Sequence, residues 1–505
     1  MSQIFQHEIK KVRIEELSQG GDGIARAENF VIFVPYSAPG DELGVKIVEK
    51  HKNFAKAEIV KILNPSKFRT SAPCPYYFTA GAKEWCGGCN LQHLSYLYQT
   101  EIKTKVFRNT LQKLGHFSEQ FILPALTVQD EGQWKYRNKI QIPFGVDPQS
   151  KIISGFFKPK SHQIIPIQAC LIHSEKMMEI VRFVNDQMNS WKIKSYSQEN
   201  HKGWLRHLYI REESWSNKML LTFVTLDPSF PRKEEWIKIL NKEFPQILGI
   251  CQNINPEKTN VILGRSWKFL WGQNYLTEKL QGLRSNSQEL ILKISAGSFF
   301  QVNTAMANKL YQVIQQFVLK EGEKPDTVLD LYCGVGGIAL SLAESCKKVI
   351  GVDEVPSSIS DAKENSKLNF YSDEPIPCQK ESEMAVISFN SDQRVSKSKK
   401  IPSIDFFCKD VYSFLKRFKK EWGKSLTFVL DPPRSGVAPE VLAEIVRLRA
   451  EKIVMVSCEA SSLARDLKFL CSTGYGLKKI QPVDLFPQSS HIESVSLLSL
   501  QWGNF

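Results

Sequence analysis

The sequence predicts a multidomain protein of β and α/β structure, with a small β-barrel, a central α+β domain and an open α/β domain at the carboxyl terminus. The chain has 505 residues, which is too many for a single hydrophobic core. Residues 1–66 consist of short β-rich segments separated by turns, as is typical of a small barrel. From residue 291 onward, apolar strands alternate with helical segments, as they do in an open parallel sheet.

Composition and charge indicate an ordered protein with an acidic partner. The formal net charge of +13 reflects either a solvated basic surface or an acidic polymer as ligand, for which nucleic acid is the usual candidate. The amino terminus lacks the apolar segment of a secretory signal, and no stretch is apolar enough for a membrane span. Eleven cysteines without such a signal predict a reducing, cytoplasmic location, where clustered cysteines more often bind metal or do chemistry than form disulfides.

The barrel prediction for residues 1–66 rests on turn signals at Gly20-Gly21, Asp22-Gly23 and Pro39-Gly40 between β-rich segments. The stretches "GGDGIAR", "VIFVPYSAPGD" and "FAKAEIVKIL" resemble a TRAM domain, a small OB-like barrel found on RNA-modifying enzymes. This resemblance implies contact with RNA.

Residues 67–290 are predicted to form a central RNA-binding domain of mixed strands and helices. A helix from about residue 94 to 115 ends at a glycine, and we expect it to pack on the carboxyl-terminal domain. Basic and aromatic residues alternate in "WKYRNK" (134–139) and "WLRHLYIRE" (204–212), which suits either phosphate contacts with base stacking or an amphipathic edge strand. We take Arg137 as a substrate-side candidate.

A cysteine cluster marks the same domain. Cys74 precedes a Cys86-x-x-Cys89 pair, and Cys170 follows later in "IPIQACLIH". Four soft ligands around a C-x-x-C core could bind either zinc or an iron–sulfur cluster. Spacing alone does not separate these two metal groups.

Residues 291–505 contain four apolar runs, "TVLDLYC", "KVIGVDE", "LTFVLDPP" and "KIVMVSC", each ending in a polar or small residue. They predict parallel strands of a Rossmann-like sheet with functional groups at their carboxyl ends. Residues 371 to about 402 are polar, and we interpret them as a surface insertion without chemistry.

The motif "DLYCGVGGIAL" predicts a strand, a glycine loop and a helix that bind a nucleotide-like cofactor. Gly334, Gly336 and Gly337 permit positive φ and let a ligand approach the backbone closely. Asp353 ends the next strand, where a carboxylate can accept hydrogen bonds from both ribose hydroxyls. Gly334-x-Gly336-x-x-Ala339 also fits the dinucleotide fingerprint, so both S-adenosylmethionine and NAD remain candidates.

The carboxyl ends of the later strands carry the groups that suit a specific reaction. Asp431 and Arg434 are fixed by two prolines, Cys458 follows the next strand, and Glu493 precedes another apolar strand. A thiolate adding to carbon 6 of uracil makes carbon 5 nucleophilic enough to take a methyl group. A carboxylate then removes the carbon 5 proton. Considered singly, Cys458 could be an inert buried thiol and Glu493 a surface acid.

Six motifs together resemble the RNA uracil-5-methyltransferases that depend on S-adenosylmethionine. These are "SFFQVNT", "DLYCGVGGIAL", "VLDPPRSG", "VSC", "ARDLKFL" and "DLFPQSSHIE". The resemblance implies Cys458 as nucleophile and Glu493 as base. It also implies cofactor contacts from Gln301, Tyr332, Gly337, Asp353, Asp410 and Asp431.

The resemblance further implies that the four cysteines hold a 4Fe–4S cluster and that the substrate is RNA. Ribosomal 23S RNA is the favoured target, with transfer RNA as the alternative, and we expect a monomer without a protein partner. Arg434 is a second substrate-side candidate. One departure is Glu459-Ala460 where the family usually has Asn-Pro after the cysteine. An NAD and iron–sulfur oxidoreductase and an inactive RNA-binding homologue are the rival interpretations.

Overall fold

The computed structural model describes residues 8–27, 30–129, 131–319, 324–371, 402–419 and 424–501. Residues 372–401, which carry nearly all of the predicted surface insertion, lie outside the described residues. Within the described ranges, no helix is both long and apolar enough to cross a membrane.

The amino-terminal segment forms the predicted barrel. Its sheet has the strand order β1-β5-β6-β4-β3-β2, and only two residues separate β1 from β2, so the end strands meet and the sheet closes. Alternate residues of β5, including Leu43, Val45 and Ile47, are buried and fill the interior. The strands are β1 (Ile9–Arg13), β2 (Glu16–Leu17), β3 (Gly23–Ala27), β4 (Phe30–Val34), β5 (Glu42–Lys50) and β6 (Phe54–Asn64).

The central domain is a seven-stranded mixed sheet of order β13-β12-β11-β10-β7-β8-β9, with two helices, α2 and α3, against one face. All eight residues of β10 are buried, and β10 lies between β7 and β11. The edge-strand interpretation of residues 204–212 is therefore wrong. The elements are β7 (Lys139–Val146), β8 (Ile152–Phe157), β9 (Ile164–Pro166), α2 (Glu175–Ser190), β10 (Leu205–Glu212), β11 (Met219–Thr225), α3 (Lys233–Glu243), β12 (Ile247–Ile254) and β13 (Ser266–Gly272).

The carboxyl-terminal domain has a seven-stranded sheet of order β18-β17-β16-β19-β20-β22-β21. The first five strands in this order are parallel, whereas β22 runs antiparallel to both of its neighbours. The four predicted apolar runs are β16, β17, β19 and β20. A separate two-stranded sheet, β14 (Tyr275–Leu280) and β15 (Leu290–Ser295), precedes the domain.

The remaining strands are β16 (Thr327–Leu331), β17 (Lys348–Asp353), β18 (Ser403–Cys408), β19 (Leu426–Leu430), β20 (Lys452–Ser457), β21 (Tyr475–Val483) and β22 (Glu493–Leu500). The helices of this domain are α4 (Thr304–Val318), α5 (Gly337–Leu342), α6 (Pro356–Phe370), α7 (Val411–Arg417), α8 (Pro439–Leu448) and α9 (Ala460–Ser472). β18 was not among the predicted apolar runs, because this edge strand is mostly exposed.

The helix predicted from about residue 94 to 115 comprises α1 (Tyr96–Thr110) and a π-helical turn at Leu111–Gly115. It packs on α9, and Phe107 and Leu111 belong to the same buried cluster as the apolar side chains of α9 and β21. The amino-terminal half of the chain thus contributes directly to the core of the carboxyl-terminal domain.

Candidate active site

A thiol and two carboxyl groups meet at one edge of the carboxyl-terminal sheet. Asp431 follows β19 and Cys458 follows β20, at the carboxyl ends of parallel strands. Glu493 is the first residue of β22, which runs the other way, so its amino end lies at the same edge. Ser457 pairs with Ser494 across these strands, which makes Cys458 and Glu493 near neighbours.

The protonation of these groups follows from their burial and mutual repulsion. Burial and the neighbouring Glu493 raise the pKa of Cys458 to about 11, and Arg434 opposes this shift. Burial, then Asp431, raises the pKa of Glu493 well above its usual range, while burial raises the pKa of Asp431 to about 6. Burial therefore favours the neutral form of each of these three groups.

Side chains of α1 form hydrogen bonds with the loop before Glu493. Lys103 donates to Asp484 at 2.8 Å, with both side chains 1% exposed, and the Tyr96 hydroxyl donates to the other oxygen of Asp484 at 2.8 Å. Further along the loop, Gln99 donates to Gln488 at 2.9 Å. Breaking such a buried pair is costly because it leaves an uncompensated charge, so this loop presents Glu493 in one position.

The loop after Cys458 contacts the amino-terminal barrel. The Gln19 amide donates to the Glu459 carboxylate, which also accepts from the Ser461 hydroxyl at 3.0 Å. The backbone oxygen of Gly20 accepts from the Ser490 hydroxyl at 3.0 Å. Glu459 thus joins the barrel to the loop that carries the thiol.

The glycine loop between β16 and α5 has the backbone of a ligand cradle. Gly334 has φ +54°, and a Cβ placed there would meet nothing within 4 Å. Gly336 has φ +82° and packs so closely against Phe406 that a Cβ would lie 2.9 Å from the ring. The Asp353 carboxylate accepts from the Gly334 N–H at 3.0 Å. The open space beside Gly334, next to a carboxylate, fits a ribose-bearing cofactor.

Other predicted cofactor residues are distributed around this loop. Tyr332 has φ +67° and connects β16 to the glycines, and a Cβ on Gly337 would lie 2.8 Å from the Tyr311 hydroxyl, so the absence of a side chain lets Gly337 pack against Tyr311. Gln301 is buried, and its backbone oxygen accepts from Asn138 at 2.8 Å. Asp410 is the exposed N-cap of α7, and the Ser413 hydrogen bond lowers its pKa.

The four cysteines of the predicted cluster line one cavity of about 130 Å³. Burial, with a smaller contribution from nearby cluster thiols, raises the pKa of Cys86 and of Cys170 to about 12. Burial also raises the pKa of Cys74 and of Cys89. Among the described residues, no three His, Cys, Asp or Glu side chains are grouped so as to hold a single metal ion.

Thiols are the donor type that both candidate groups use. A single zinc ion binds four sulfurs at about 2.3 Å each, whereas an iron–sulfur cluster binds one thiolate at each of its iron atoms. The four cysteines share one cavity, so the type and number of donors suit either group.

The two substrate-side candidates lie near the crevice. Arg137 lines the cysteine cavity and Arg434 is exposed beside the thiol. Burial, followed by the charge of Arg434, lowers the pKa of His491, and Arg137 contributes in the same direction. Both arginines are therefore within electrostatic reach of His491, two residues before Glu493.

Several residues that build the site were not predicted. Asp330 is fully buried below the glycine loop and accepts from the Ala339 N–H at 2.9 Å. Asp330 is the only acid in the apolar run of β16, and this feature of the sequence could have identified it. Gln19, Lys103 and Asp484 gave no such signal, because their partners lie hundreds of residues away.

Comparison with known proteins gives three findings. Residues 104–501 match the family described as tRNA (Uracil-5-)-methyltransferase, and residues 6–60 match the TRAM domain. The chain is 33% identical over 502 residues to an uncharacterized RNA methyltransferase of Oceanobacillus iheyensis, covering 99% of this chain and 98% of the relative. It is 34% identical over 490 residues to one of Listeria monocytogenes, covering 97% of each.

The third finding is structural. The chain is similar to the crystal structure of the Pyrococcus abyssi tRNA (uracil-54, C5)-methyltransferase in complex with S-adenosyl-L-homocysteine. The TM-score is 0.70 at 25% identity, with 97% of this chain and 99% of that chain covered. This similarity confirms the predicted fold class.

Proposed function

The chain belongs to the tRNA (uracil-5-)-methyltransferase family, and we propose that it methylates carbon 5 of a specific uridine in RNA by covalent catalysis through Cys458. The cofactor is S-adenosylmethionine, and family membership favours it over NAD. The observation that carries the proposal is the meeting of the Cys458 thiol with the Glu493 and Asp431 carboxyl groups beside the glycine loop.

The proposed chemistry follows from the weak nucleophilicity of uracil. Once the Cys458 thiol and the Glu493 carboxyl group have released their protons to solvent, the thiolate adds to carbon 6, and the electron pair of the C5–C6 double bond moves to give an enolate with a nucleophilic carbon 5. S-adenosylmethionine, when bound, supplies the methyl group that carbon 5 accepts. The Glu493 carboxylate then takes the carbon 5 proton, and the bond between sulfur and carbon 6 breaks to restore the double bond and release the thiolate.

In the protein without substrate, the pKa of the Cys458 thiol disfavours the thiolate that the reaction needs. Cys458 holds its proton at neutral pH, because burial and Glu493 raise its pKa to about 11. Arg434 is the positive group that favours the thiolate, so its guanidinium promotes the attack. For the cofactor we propose contacts from Gln301, Tyr332, Gly334, Gly336, Gly337, Asp353, Asp410 and Asp431.

The proposed substrate is 23S ribosomal RNA, and the enzyme acts as a cytoplasmic monomer. One observation favours transfer RNA instead, since the structural relative from Pyrococcus abyssi is a tRNA methyltransferase. The TRAM domain and the net charge of +13 suit either RNA.

The test is to map 5-methyluridine in ribosomal and transfer RNA from cells with and without the protein. We expect loss of the modified base at a specific 23S position in the deficient cells, measured by mass spectrometry of nuclease fragments. Loss in transfer RNA alone would replace the ribosomal proposal with its alternative. Unchanged 5-methyluridine in both RNAs would contradict the reaction and favour an inactive homologue.

We further propose that Cys74, Cys86, Cys89 and Cys170 hold a structural 4Fe–4S cluster. The four thiols share one cavity, and neither Cys458 nor Glu493 lines it, so we assign the cluster no part in the chemistry above. The cavity lies between the segment after the barrel and the central sheet, so a bound cluster would cross-link them.

Cys86→Ser is expected to lose the visible absorption band of an iron–sulfur cluster, together with most of the bound iron. It should also lower the melting temperature, because the cross-link between the two segments is lost. Iron analysis, absorption spectroscopy and thermal melting of anaerobically purified protein measure these changes. Cys408→Ser, at an exposed thiol outside the cavity, is the control and should change neither. Recovery of stoichiometric zinc without iron would contradict the cluster.

A further inference from the structure

We propose that Lys139 and Arg211 form a binding site for one phosphate group of the RNA backbone, close to the target uridine. The proposal rests on the proposed function, because it assigns a contact to the same substrate. The two residues lie directly opposite each other on the antiparallel strands β7 and β10, so their side chains project from the same face of the central sheet.

Both cations reach the segment just before Gln301. Arg211 Nη2 donates to the Ser298 backbone oxygen at 2.7 Å, and Lys139 Nζ lies 4.9 Å from the centre of the Phe299 ring. Phe299 itself is exposed. The pair therefore lies between the interior of the sheet and solvent, at the entrance to the loop that carries Gln301.

The polar groups of Lys139 and Arg211 are only partly satisfied by the protein. Arg211 is 3% exposed, and its Nη1 has no hydrogen-bond partner, although Nε and Nη2 donate to the Tyr209 hydroxyl at 3.1 and 2.6 Å. In the part of the chain that the structure describes, neither Arg211 nor Lys139 forms an ion pair with a carboxylate. An unpaired buried cation costs several kcal/mol, so a folded chain retains one where an anion will bind.

Glu278 is the acid that Arg211 influences, but its carboxylate is already engaged. It accepts from the Ser214 N–H at 3.2 Å and from the Ser214 hydroxyl at 2.5 Å. Arg137, two residues before Lys139, lines the cysteine cavity, where its charge opposes the rise that burial causes in the pKa of Cys89. Lys139 and Arg211 are left with capacity for an external anion.

The lowered pKa of Lys139 agrees with a site that binds an anion. Burial, then the positive charges of Arg211 and Arg137, lowers the pKa of Lys139 to about 7. An anion between these cations would restore the ammonium form. The site is also rigid relative to the catalytic crevice, because Asn138 donates to the Gln301 backbone oxygen at 2.8 Å and to the Thr304 hydroxyl at 2.9 Å.

Two sources could supply such an anion, namely a phosphate of the RNA backbone and the carboxylate of S-adenosylmethionine. The exposed Phe299 beside Lys139 shows that the site opens to solvent, where a polymer can reach it. The net charge of +13 is that of a chain that binds a polyanion. We therefore assign the site to the backbone phosphate.

The test is Lys139→Met, which keeps the length of the side chain and removes its charge. The probe is a fluorescein-labelled RNA hairpin with uridines in its loop, whose affinity is measured by anisotropy over a range of salt concentrations. We expect affinity to fall about tenfold and the slope of log K against log salt to fall by about one, the value for one lost phosphate contact. The matched control is Lys238→Met. Lys238 is exposed on α3, which packs against the opposite face of the sheet, so this change should alter neither the affinity nor the salt slope.

Two further measurements make the outcomes distinct. Affinity for S-adenosylhomocysteine should be unchanged in Lys139→Met, and the melting temperature without RNA should be equal to or above that of the wild type, because a buried uncompensated charge is gone. An unchanged salt slope overturns the phosphate site, and weaker binding of S-adenosylhomocysteine alongside it reassigns the anion to the cofactor carboxylate. If the wild-type protein binds no RNA hairpin at all, the proposed function itself fails.

Discussion

Cys458→Ala is expected to lower kcat for methyl transfer to RNA by about 10⁴-fold or more, because carbon 5 of uracil does not become nucleophilic without the covalent bond at carbon 6. The loss should fall on kcat rather than on cofactor binding, since the thiol lies at the end of β20 and the glycine loop follows β16. Single-turnover transfer of a radiolabelled methyl group to total RNA from deficient cells measures the effect.

The control is Cys471→Ala, which removes a partly buried thiol in α9 that lies outside the crevice. It should leave kcat within about threefold of the wild-type value, as expected for a small core truncation away from the reacting groups. Equal binding of S-adenosylhomocysteine by the two variants would show that both are folded. Methyl transfer by Cys458→Ala at a rate close to that of the control would remove the thiol from the mechanism.

Local patterns were sufficient to predict the reactive edge of the sheet. β16, β17, β19 and β20 are buried on both faces and read as continuous apolar runs, so their ends were visible in the sequence. Glu493 was predicted at the start of an apolar strand. That this strand is antiparallel, which is why Glu493 lies beside Cys458, was not contained in any local pattern.

Contacts between distant segments could not be predicted in the same way. The Lys103–Asp484 pair joins residues 381 positions apart, and the contact between Gln19 and Glu459 spans 440. No periodicity reports such a pairing, because it depends on how the barrel, α1 and the sheet pack together. Hydrophobic periodicity therefore placed Asp431 and Cys458 at strand ends, while the polar contacts of the surrounding loops became visible only in the folded chain.

The same limit applies to Lys139 and Arg211. Each lies in a segment where basic and aromatic residues alternate, a pattern that suits either phosphate contacts with base stacking or an amphipathic edge strand. It did not indicate that the strands are central and buried, since alternation of charged residues is typical of a half-exposed strand. The burial of Arg211 is the unusual feature, and it is what distinguishes a binding site from a solvated surface.

Glu493→Gln is expected to lower kcat by about 10²- to 10⁴-fold and to trap RNA on the protein, because general-base removal of the carbon 5 proton is lost after methyl transfer. The trapped species keeps the bond between Cys458 and carbon 6, so it should migrate as a protein–RNA adduct on a denaturing gel. Since Cys458→Ala cannot form this bond, the double variant should give no adduct. A fully active Glu493→Gln enzyme without an adduct would assign the base to another group, with Asp431 the nearest carboxyl on the same edge.

Although Glu493→Gln should lower kcat, it should raise the thermal stability of the folded protein at neutral pH. Burial and Asp431 raise the pKa of Glu493 well above its value in an unfolded chain, so folding favours the protonated form. Stability is then unaffected below the unfolded pKa and is lost as pH rises above it, where the unfolded chain releases the proton more readily. Glutamine carries no charge to desolvate, so the variant should melt at a higher temperature than the wild type at pH 7 to 8, and this difference should disappear near pH 4. A lower melting temperature at pH 8 would mean that the Glu493 carboxylate is stabilised in the folded protein, and it would leave the buried carboxyl without the raised pKa on which its role as a strong base depends.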